Sequence, residues 1–426
     1  MRARSWLLLL PVAAVLVSAV GCGSGGRRVG DPMQIGVIAD CSTDGGQLNI
    51  EGAELPLLQR GASLKDANPA DGVGMANVAG RPVSLKIACA EQFNPGSALD
   101  QLSSMVENRH VDAVVGPALE GAPIVGRYAR KHPGVTFMLG DYYQSSTLQL
   151  AAPNVFRFEL NAAQWSAGLA AYAYHRLGWR SVTTVGENVP PGWTQTAGFD
   201  AEFCALGGQV VQRLWPPYGT SHLEQWERRV SSRTDGVFLS LVSSEDPSGF
   251  IRSWGLRHNL ARQLVVGWNA DPNNPQLHNV VAASSAPFGT TPAYDRYASA
   301  FTNAFGRPDE AGSGLDYYDE VEPLLKALKE VHGKTSDNGQ ALQAALRRLH
   351  YASPEGPIHL DKWNQAVGNT YLARIIGNGH YDQFKTVRNV QQTFGGYFTR
   401  HTAPPGPDSP PCVKGKPPQW AVRQTR

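Results

Sequence analysis

Cysteine and methionine are scarce in this 426-residue chain, with five of each. No two cysteines stand at CxxC spacing, which removes the usual zinc-ribbon and dithiol redox frameworks. There is no G-x-S-x-G nucleophile elbow and no H-E-x-x-H zinc helix. The eleven histidines, among them His110, His132, His175 and His222, follow no ligand spacing. His332-Gly333-Lys334-Thr335 lacks the upstream glycine of a phosphate loop, because Leu328 stands there, and reads as a helix end. Charge is also thin: 17% of residues are charged and the formal net charge is +2. A chain this neutral carries no basic footprint for nucleic acid. No enzyme chemistry, metal or cofactor is implied.

What is present begins with the first 22 residues. Arg2 and Arg4 precede an apolar run, Leu7–Leu10 and Val12–Val17, which closes on Ala19-Val20-Gly21-Cys22. That is the layout of a secretory signal with a small-residue cleavage site. The run is short and interrupted by Pro11, unlike a membrane span. A cysteine directly after the site resembles the lipobox of bacterial lipoproteins, with Ala19 where leucine is usual. The resemblance implies a signal peptide over 1–21, lipidation at Cys22, and a body held at the outer face of the membrane. Loss of Arg2 and Arg4 with that signal brings the formal charge to zero. Residues 22–33, rich in glycine, serine and arginine, read as a tether. About 400 remaining residues suggest two domains.

Cys41, Cys89, Cys204 and Cys412 permit two disulfides in an oxidising compartment, and four thiols allow three pairings. Cys41 and Cys89 each follow a strand-like run, which favours that pair as the ends of neighbouring strands. Cys204 with Cys412 follows by elimination; a buried free thiol at Cys204 is the alternative.

The body alternates strands and helices. Apolar runs at 34–39, 83–88, 112–115 and 135–139 read as buried parallel strands, with helices expected over 51–66, 97–108 and 123–131. After a connecting strand near 155–158 the alternation restarts: helix 163–177, strand 181–185, helix 194–206, strand 209–213, helix 222–232, strand 236–241, helix 247–258 and strand 263–266. Amphipathic helices are expected over 316–331 and 338–350. Such βαβ repetition gives parallel sheets with helices on both faces.

Several stretches carry a family resemblance in their order: Ile35-Gly36-Val37-Ile38 followed by Glu51-Gly52-Ala53-Glu54, Val114-Val115-Gly116-Pro117, Asn154-Val155-Phe156-Arg157, Ala205-Leu206-Gly207-Gly208-Gln209-Val210-Val211, and Ser353-Pro354-Glu355-Gly356-Pro357-Ile358-His359-Leu360-Asp361. Together they resemble the type I periplasmic solute-binding proteins of ABC importers, in the leucine/isoleucine/valine-binding and amide- or urea-binding branch. The resemblance implies an α/β fold of two doubly wound parallel-sheet lobes joined by a three-strand hinge. Lobe 1 would hold 34–154 and 290–352, lobe 2 would hold 155–284 and 356–395, and 396–426 would be a Pro-rich strap. It further implies a monomer that takes a small-molecule solute and meets an ABC transporter permease.

Ligands of open parallel sheets bind beyond the carboxyl ends of strands. In lobe 1 this selects Ser42, Thr43 and Gln47 after the first strand, with Gly45-Gly46-Gln47 read as a flexible loop. It selects Pro117, Ala118, Leu119, Glu120 and Gly121 after the third strand, and Asp141, Tyr142 and Tyr143 after the fourth. Tyr317 and Tyr318 are expected to open a lobe-1 helix that approaches the cleft, with Tyr318 as the candidate contact. In lobe 2 the candidates are Trp193, Ser243, Trp268 and Asn269. The sequence departs from the amino-acid binders where a serine-rich turn would grip a carboxylate: here the turn is Leu119-Glu120-Gly121-Ala122. The family's cysteine in that turn is also missing, which strengthens the case for Cys41 as the partner of Cys89. Aromatic walls and the acids Glu120 and Asp141 suit a neutral or cationic, partly apolar solute. A sensor of the same fold, or an extracytoplasmic hydrolase on an α/β scaffold, are the competing functional classes.

Overall fold

The computed structural model describes residues 31–65, 72–91, 94–117, 122–140, 147–241, 247–267, 271–289, 291–309, 312–413 and 415–422. Two sheets organise them. The first contains β1 (Met33–Ala39), β2 (Ala76–Val78), β3 (Arg81–Cys89), β4 (Ala113–Val115), β5 (Thr136–Met138) and β6 (Val155–Phe156), in the order β2-β3-β1-β4-β5-β6. Strands β3 to β6 run parallel with β1, and only β2 is antiparallel at the edge. The second sheet contains β7 (Ser181–Gly186), β8 (Gln209–Leu214), β9 (Gly236–Ser240), β10 (Leu264–Val266), β11 (Val281–Ser284), β12 (His350–Ser353), β13 (Gly356–Leu360), β14 (Ala366–Gly377) and β15 (His380–Val390). Its order is β12-β13-β14-β11-β10-β9-β7-β8, with β15 paired to β14. Five of its strands, β7 to β11, are parallel, and β14 joins them antiparallel through β11.

The helices are α1 (Asp44–Leu58), α2 (Pro95–Ser103), α3 (Ala122–Ala129), α4 (Thr147–Leu150), α5 (Ala162–Trp165), α6 (Leu169–Tyr172), α7 (Pro190–Ala205), α8 (Glu224–Glu227), α9 (Ser248–Gly255), α10 (Leu260–Gln263), α11 (Pro292–Phe305), α12 (Ser313–Glu330), α13 (Gln340–Arg348) and α14 (Gln419–Val422). Alternation along β1 distributes them. Ile35 and Val37 face a core shared with Ile50 and Leu57 of α1 and Val321 and Leu324 of α12. Ile38 faces the other way, toward Leu102, Met105 and Val125. Gly36 leaves room on that face for the Met105 sulfur, which would stand 3.0 Å from an added Cβ. The second sheet is covered in the same manner, by Phe199 and Phe203 on one face and Phe250, Ile251 and Trp254 on the other. Each of these large side chains, when fully buried, contributes about 1.5–3 kcal/mol.

The chain passes between the sheets three times: after β6, after β11 and after α13. The first and third passes pair with each other, since Arg157 N–H donates to the Asn364 carbonyl (3.0 Å) and Ala366 N–H to that of Arg157 (2.9 Å). The β12–β13 hairpin belongs to both halves. It hydrogen-bonds into the second sheet through β14, yet Tyr351, Ile358 and Leu360 pack in the core beneath β1.

Several expected helices change in extent. The first begins at Asp44 rather than 51 and ends at Leu58, so Gly45, Gly46 and Gln47 form its first turn instead of a flexible loop. Gly46 is needed because a Cβ there would lie 1.8 Å from the Asp40 carbonyl oxygen. The helix expected over 163–177 is broken at Gly168, which takes φ of +88°. Glu202 of α7 stabilises the break by accepting hydrogen bonds from the Gly168 and Ala171 N–H groups, both at 2.8 Å. Only one turn, α8, forms within 222–232. Among the described residues no helix is long and apolar enough to cross a membrane.

Candidate functional site

The carboxyl ends of the parallel strands form two rims, one per sheet. On the first rim, Asp40 follows β1 and its Oδ1 accepts from Ser42 N–H (2.9 Å) and Ser42 Oγ–H (2.6 Å). Thr43 caps α1 by accepting from Gly46 N–H at 3.1 Å. Ser42 stays exposed, while Gln47 turns back toward the Cys41 carbonyl, with its amide nitrogen 3.5 Å away. Cys41 is disulfide-bonded to Cys89, with their Cα atoms 5.3 Å apart, which ties the end of β1 to the end of its neighbour β3.

Tyr317 of α12 reaches the same rim. Its side chain is fully buried and its hydroxyl donates to the Ile38 carbonyl at 2.7 Å. A Cβ on Gly140, after β5, would stand 2.8 Å from the Tyr317 ring. Gly116 after β4 takes φ of +82°, and a Cβ there would meet the Ile38 carbonyl oxygen and the Tyr317 hydroxyl, each at 2.4 Å. Pro117 follows, buried, after a cis peptide bond. Tyr318 points elsewhere. Its hydroxyl donates to Gln59 beyond the far end of α1 (3.3 Å), and its ring packs edge-on against Tyr297 of α11. Successive residues of a helix cannot share a face, so of the two tyrosines expected near the cleft only Tyr317 reaches the rim.

On the second rim, Trp193 lies in the first turn of α7 rather than in a loop, and its indole N–H donates to Asn188 Oδ1 at 3.0 Å. The ends of β9 and β10 and the residue after α5 converge on Gln195, two residues further along α7. Its amide donates to Ser166 Oγ at 3.0 Å, its carbonyl accepts from Ser240 Oγ–H at the end of β9, and a Cβ on Gly267 after β10 would lie 2.8 Å from its Nε2. Sequence reasoning missed Ser166, Gln195 and Ser240. The glycine after β10 and the serine ending β9 are the signals in the chain, each at a strand's carboxyl end.

Between the rims, where the three passes run, the chain gathers acids. Glu320 of α12 accepts from Phe158 N–H of the first pass at 2.8 Å. Asp319 accepts from Tyr351 Oη–H (2.6 Å) and Ser353 Oγ–H of the third. Glu355, in the turn between β12 and β13, hydrogen-bonds Ser285 just after β11, and burial pushes its carboxyl up to about 7. Burial, reinforced by Glu159 and Glu355, holds the Asp316 carboxyl well above the usual range. One helix thus grips the first and third passes, and Glu355 links the third to the second.

Ala118, Leu119, Glu120, Gly121, Asp141, Tyr142, Tyr143, Ser243, Trp268, Asn269 and Cys22 lie outside the described residues. Among the described residues no group of three or more His, Cys, Asp or Glu side chains is placed to hold a metal ion. The remaining pair of cysteines, Cys204 and Cys412, is disulfide-bonded.

A family model described as "Periplasmic binding protein" matches residues 32–380. A Leu/Ile/Val-binding protein homologue from Brucella abortus (strain 2308) is 24% identical over 243 residues, which is 54% of this chain and 62% of the relative. The chain therefore spans less than two thirds of that curated relative's length. Among solved structures, an ABC transporter substrate-binding protein from Sphaerobacter thermophilus superposes with a TM-score of 0.71 at 20% identity, covering 85% of this chain and 99% of the other. A solute-binding protein of an ABC transporter from Rhodopseudomonas palustris HaA2, in complex with p-hydroxybenzoic acid, gives 0.68 at 18% identity over 85% and 98%. A leucine binding protein from Thermotoga maritima gives 0.63 at 16% identity over 84% and 99%. At such identities the likeness is one of fold.

Proposed function

The chain belongs to the periplasmic binding protein family, and on that premise we propose that it captures a small molecule between two lobes and presents it to the permease of an ABC importer. Lobe 1 comprises 34–154 and 290–352 and lobe 2 comprises 155–284 and 356–395. The observation that carries this reading is the topology: two sheets whose carboxyl rims each carry a helix N-terminus, at Asp44 and at Pro190, joined by three passes of chain. Short connecting passes absorb small dihedral changes, so the rims can close over a ligand that touches both.

The ligand set is Ser42, Thr43, Gln47, Pro117 and the 118–121 turn on lobe 1, with Asp141, Tyr142 and Tyr143. On lobe 2 it is Trp193, Ser243, Trp268 and Asn269, joined by Gln195 and Ser240. Tyr318 gives way to Tyr317, which shapes the rim from beneath. Asp316 and Glu355 lie where the three passes run, and burial favours their uncharged forms, so they do not select the charge of the solute. The acids Glu120 and Asp141 and the aromatic side chains of the ligand set favour a neutral or cationic amino-acid-like, amide or polar-aromatic solute. In this reading the protein is not an enzyme, works as a monomer outside the cytoplasm, and is anchored through a lipid on Cys22 after removal of 1–21.

Thermal-shift screening of the chain from Arg27 onward, against amino acids, amides, polyamines, nucleosides and aromatic acids, tests the proposal. A binder raises Tm with concentration by mass action. Flat melting curves across every class, with turnover detected in any hydrolase assay, would reverse it.

A further inference from the structure

The segment after β15 lies beyond the family match, which ends at residue 380. It does not trail away from the body. It returns along α7 and covers it. Pro405 lines a small void with Thr194, near the start of α7. Arg213 Nη2 donates to the carbonyls of Pro407 (3.1 Å) and Ser409, and Cys412 is bonded to Cys204 near the helix's end. Further on, Gly395 lets the Lys416 carbonyl approach so closely that a Cβ there would lie 2.0 Å from it. Trp420 is buried edge-on against Phe394, and its indole N–H donates to Glu202 Oε2 at 3.0 Å. This cover explains why α7 is buried from Thr194 to Phe203 on every side.

The same segment also reaches the first half. Helix α4 belongs to that half: Leu150 packs in the core of the first sheet, and its carbonyl accepts from Arg130 at 2.6 Å. Gln149 of α4 donates through Nε2 to the Thr402 carbonyl at 2.8 Å. One residue earlier, Leu148 N–H donates to Oε1 of the fully buried Gln392 at 3.2 Å. Gln392 in turn donates to Asp361 Oδ2 at 2.7 Å. A segment cross-linked to α7 at Cys412 therefore spans the hinge region and holds α4 at its other end.

We propose that the described residues of 391–413 and 415–422 form a latch across the hinge, clamped to the second half by the Cys204–Cys412 disulfide and gripping the first half at Gln149, so that it restrains the swing of the two halves. The inference rests on the two-lobe reading of the preceding subsection. Hydrogen bonds that exist in only one arrangement of the halves favour that arrangement, and a covalent cross-link keeps their partners close.

The test needs no ligand. Spin labels at two exposed positions, Leu99 on the first half and Leu256 on the second, report the distance between halves in the full chain. The wild type should give one narrow distribution. Gln149→Ala, which removes the side-chain bond to the Thr402 carbonyl, should broaden it, and Cys412→Ser should broaden it further. Should Cys412→Ser fail to fold, the Gln149→Ala chain alone decides. Distributions of both variants that coincide with wild type overturn the latch. A wild-type distance that no solute shifts, with broadening still seen in the variants, would count against ligand-driven closure and leave the latch standing.

Discussion

The hydroxyl of Tyr317 stands 2.7 Å from the carbonyl oxygen of Ile38, joining a helix that enters late in the chain to the first strand. That bond sits under three strand ends at once, because Gly116 and Gly140 both leave their Cβ space to Tyr317. Tyr317→Phe should lower stability by about 1–3 kcal/mol, the cost of leaving a buried carbonyl unsatisfied. Gly140→Ala should cost about 1–3 kcal/mol through overpacking against the ring. Urea denaturation of both variants measures this, and a native-like midpoint for both would remove Tyr317 as the rim's support.

The Trp193 indole is half-buried at the start of α7 and held by Asn188. Trp193→Ala should abolish or sharply reduce the melting-temperature rise given by a bound solute, and Asp141→Ala should do the same. The ligand-free melting temperature should barely move in either. Full retention of affinity in both variants would show that the ligand sits elsewhere.

Two carboxyls should make stability depend on pH. Burial pushes Glu355 up to about 7, and burial together with Glu51 pushes Glu54 up to about 8, with Lys65 opposing. Among the described residues neither oxygen of Glu54 has a hydrogen-bond partner. A carboxyl whose folded-state pKa is raised binds its proton more tightly in the folded state, so its contribution is complete below the ordinary value of 4.5. It declines as pH rises, through about 7 for Glu355 and about 8 for Glu54. Glu54→Gln should therefore raise stability at pH 8.5 and leave it nearly unchanged at pH 4. Glu355→Gln should flatten the slope between those limits. Denaturant midpoints across this range supply the check.

The Cys41–Cys89 cross-link closes a loop with a sequence separation of 48. Its removal in a Cys41→Ser, Cys89→Ser chain should cost roughly 2–4 kcal/mol, by freeing the unfolded state. Because Ala39 and Cys89 are already register partners in the sheet, the folded strands should stay paired. A loss of the far-ultraviolet dichroism of the folded chain at ambient temperature would contradict that.

Strand positions were legible because buried parallel strands are short apolar runs bounded by polar turns. The expected 181–185 and 236–241 differ from β7 and β9 by a single residue at one end. Helix limits were less legible, and glycine is the reason. Gly45 and Gly46 resemble a loop by composition, yet Gly46 stands in α1 because only a missing Cβ lets the helix turn pass the Asp40 carbonyl. Gly52 is there for the approach of α12, where a Cβ would lie 1.8 Å from the Gly314 carbonyl oxygen. The break at Gly168 depends on Glu202, 34 residues away, and no local pattern reveals it. At the site, strand ends could be found from the chain, but the side chains that meet there could not. Gln195 reaches Ser240 across 45 residues, and Tyr317 reaches Ile38 across 279.

Small-angle scattering of the chain with and without a solute that raises its melting temperature tests capture between two lobes most directly. The account predicts a smaller radius of gyration and a more compact distance distribution when the solute is bound. Superimposable profiles at saturating solute would contradict it.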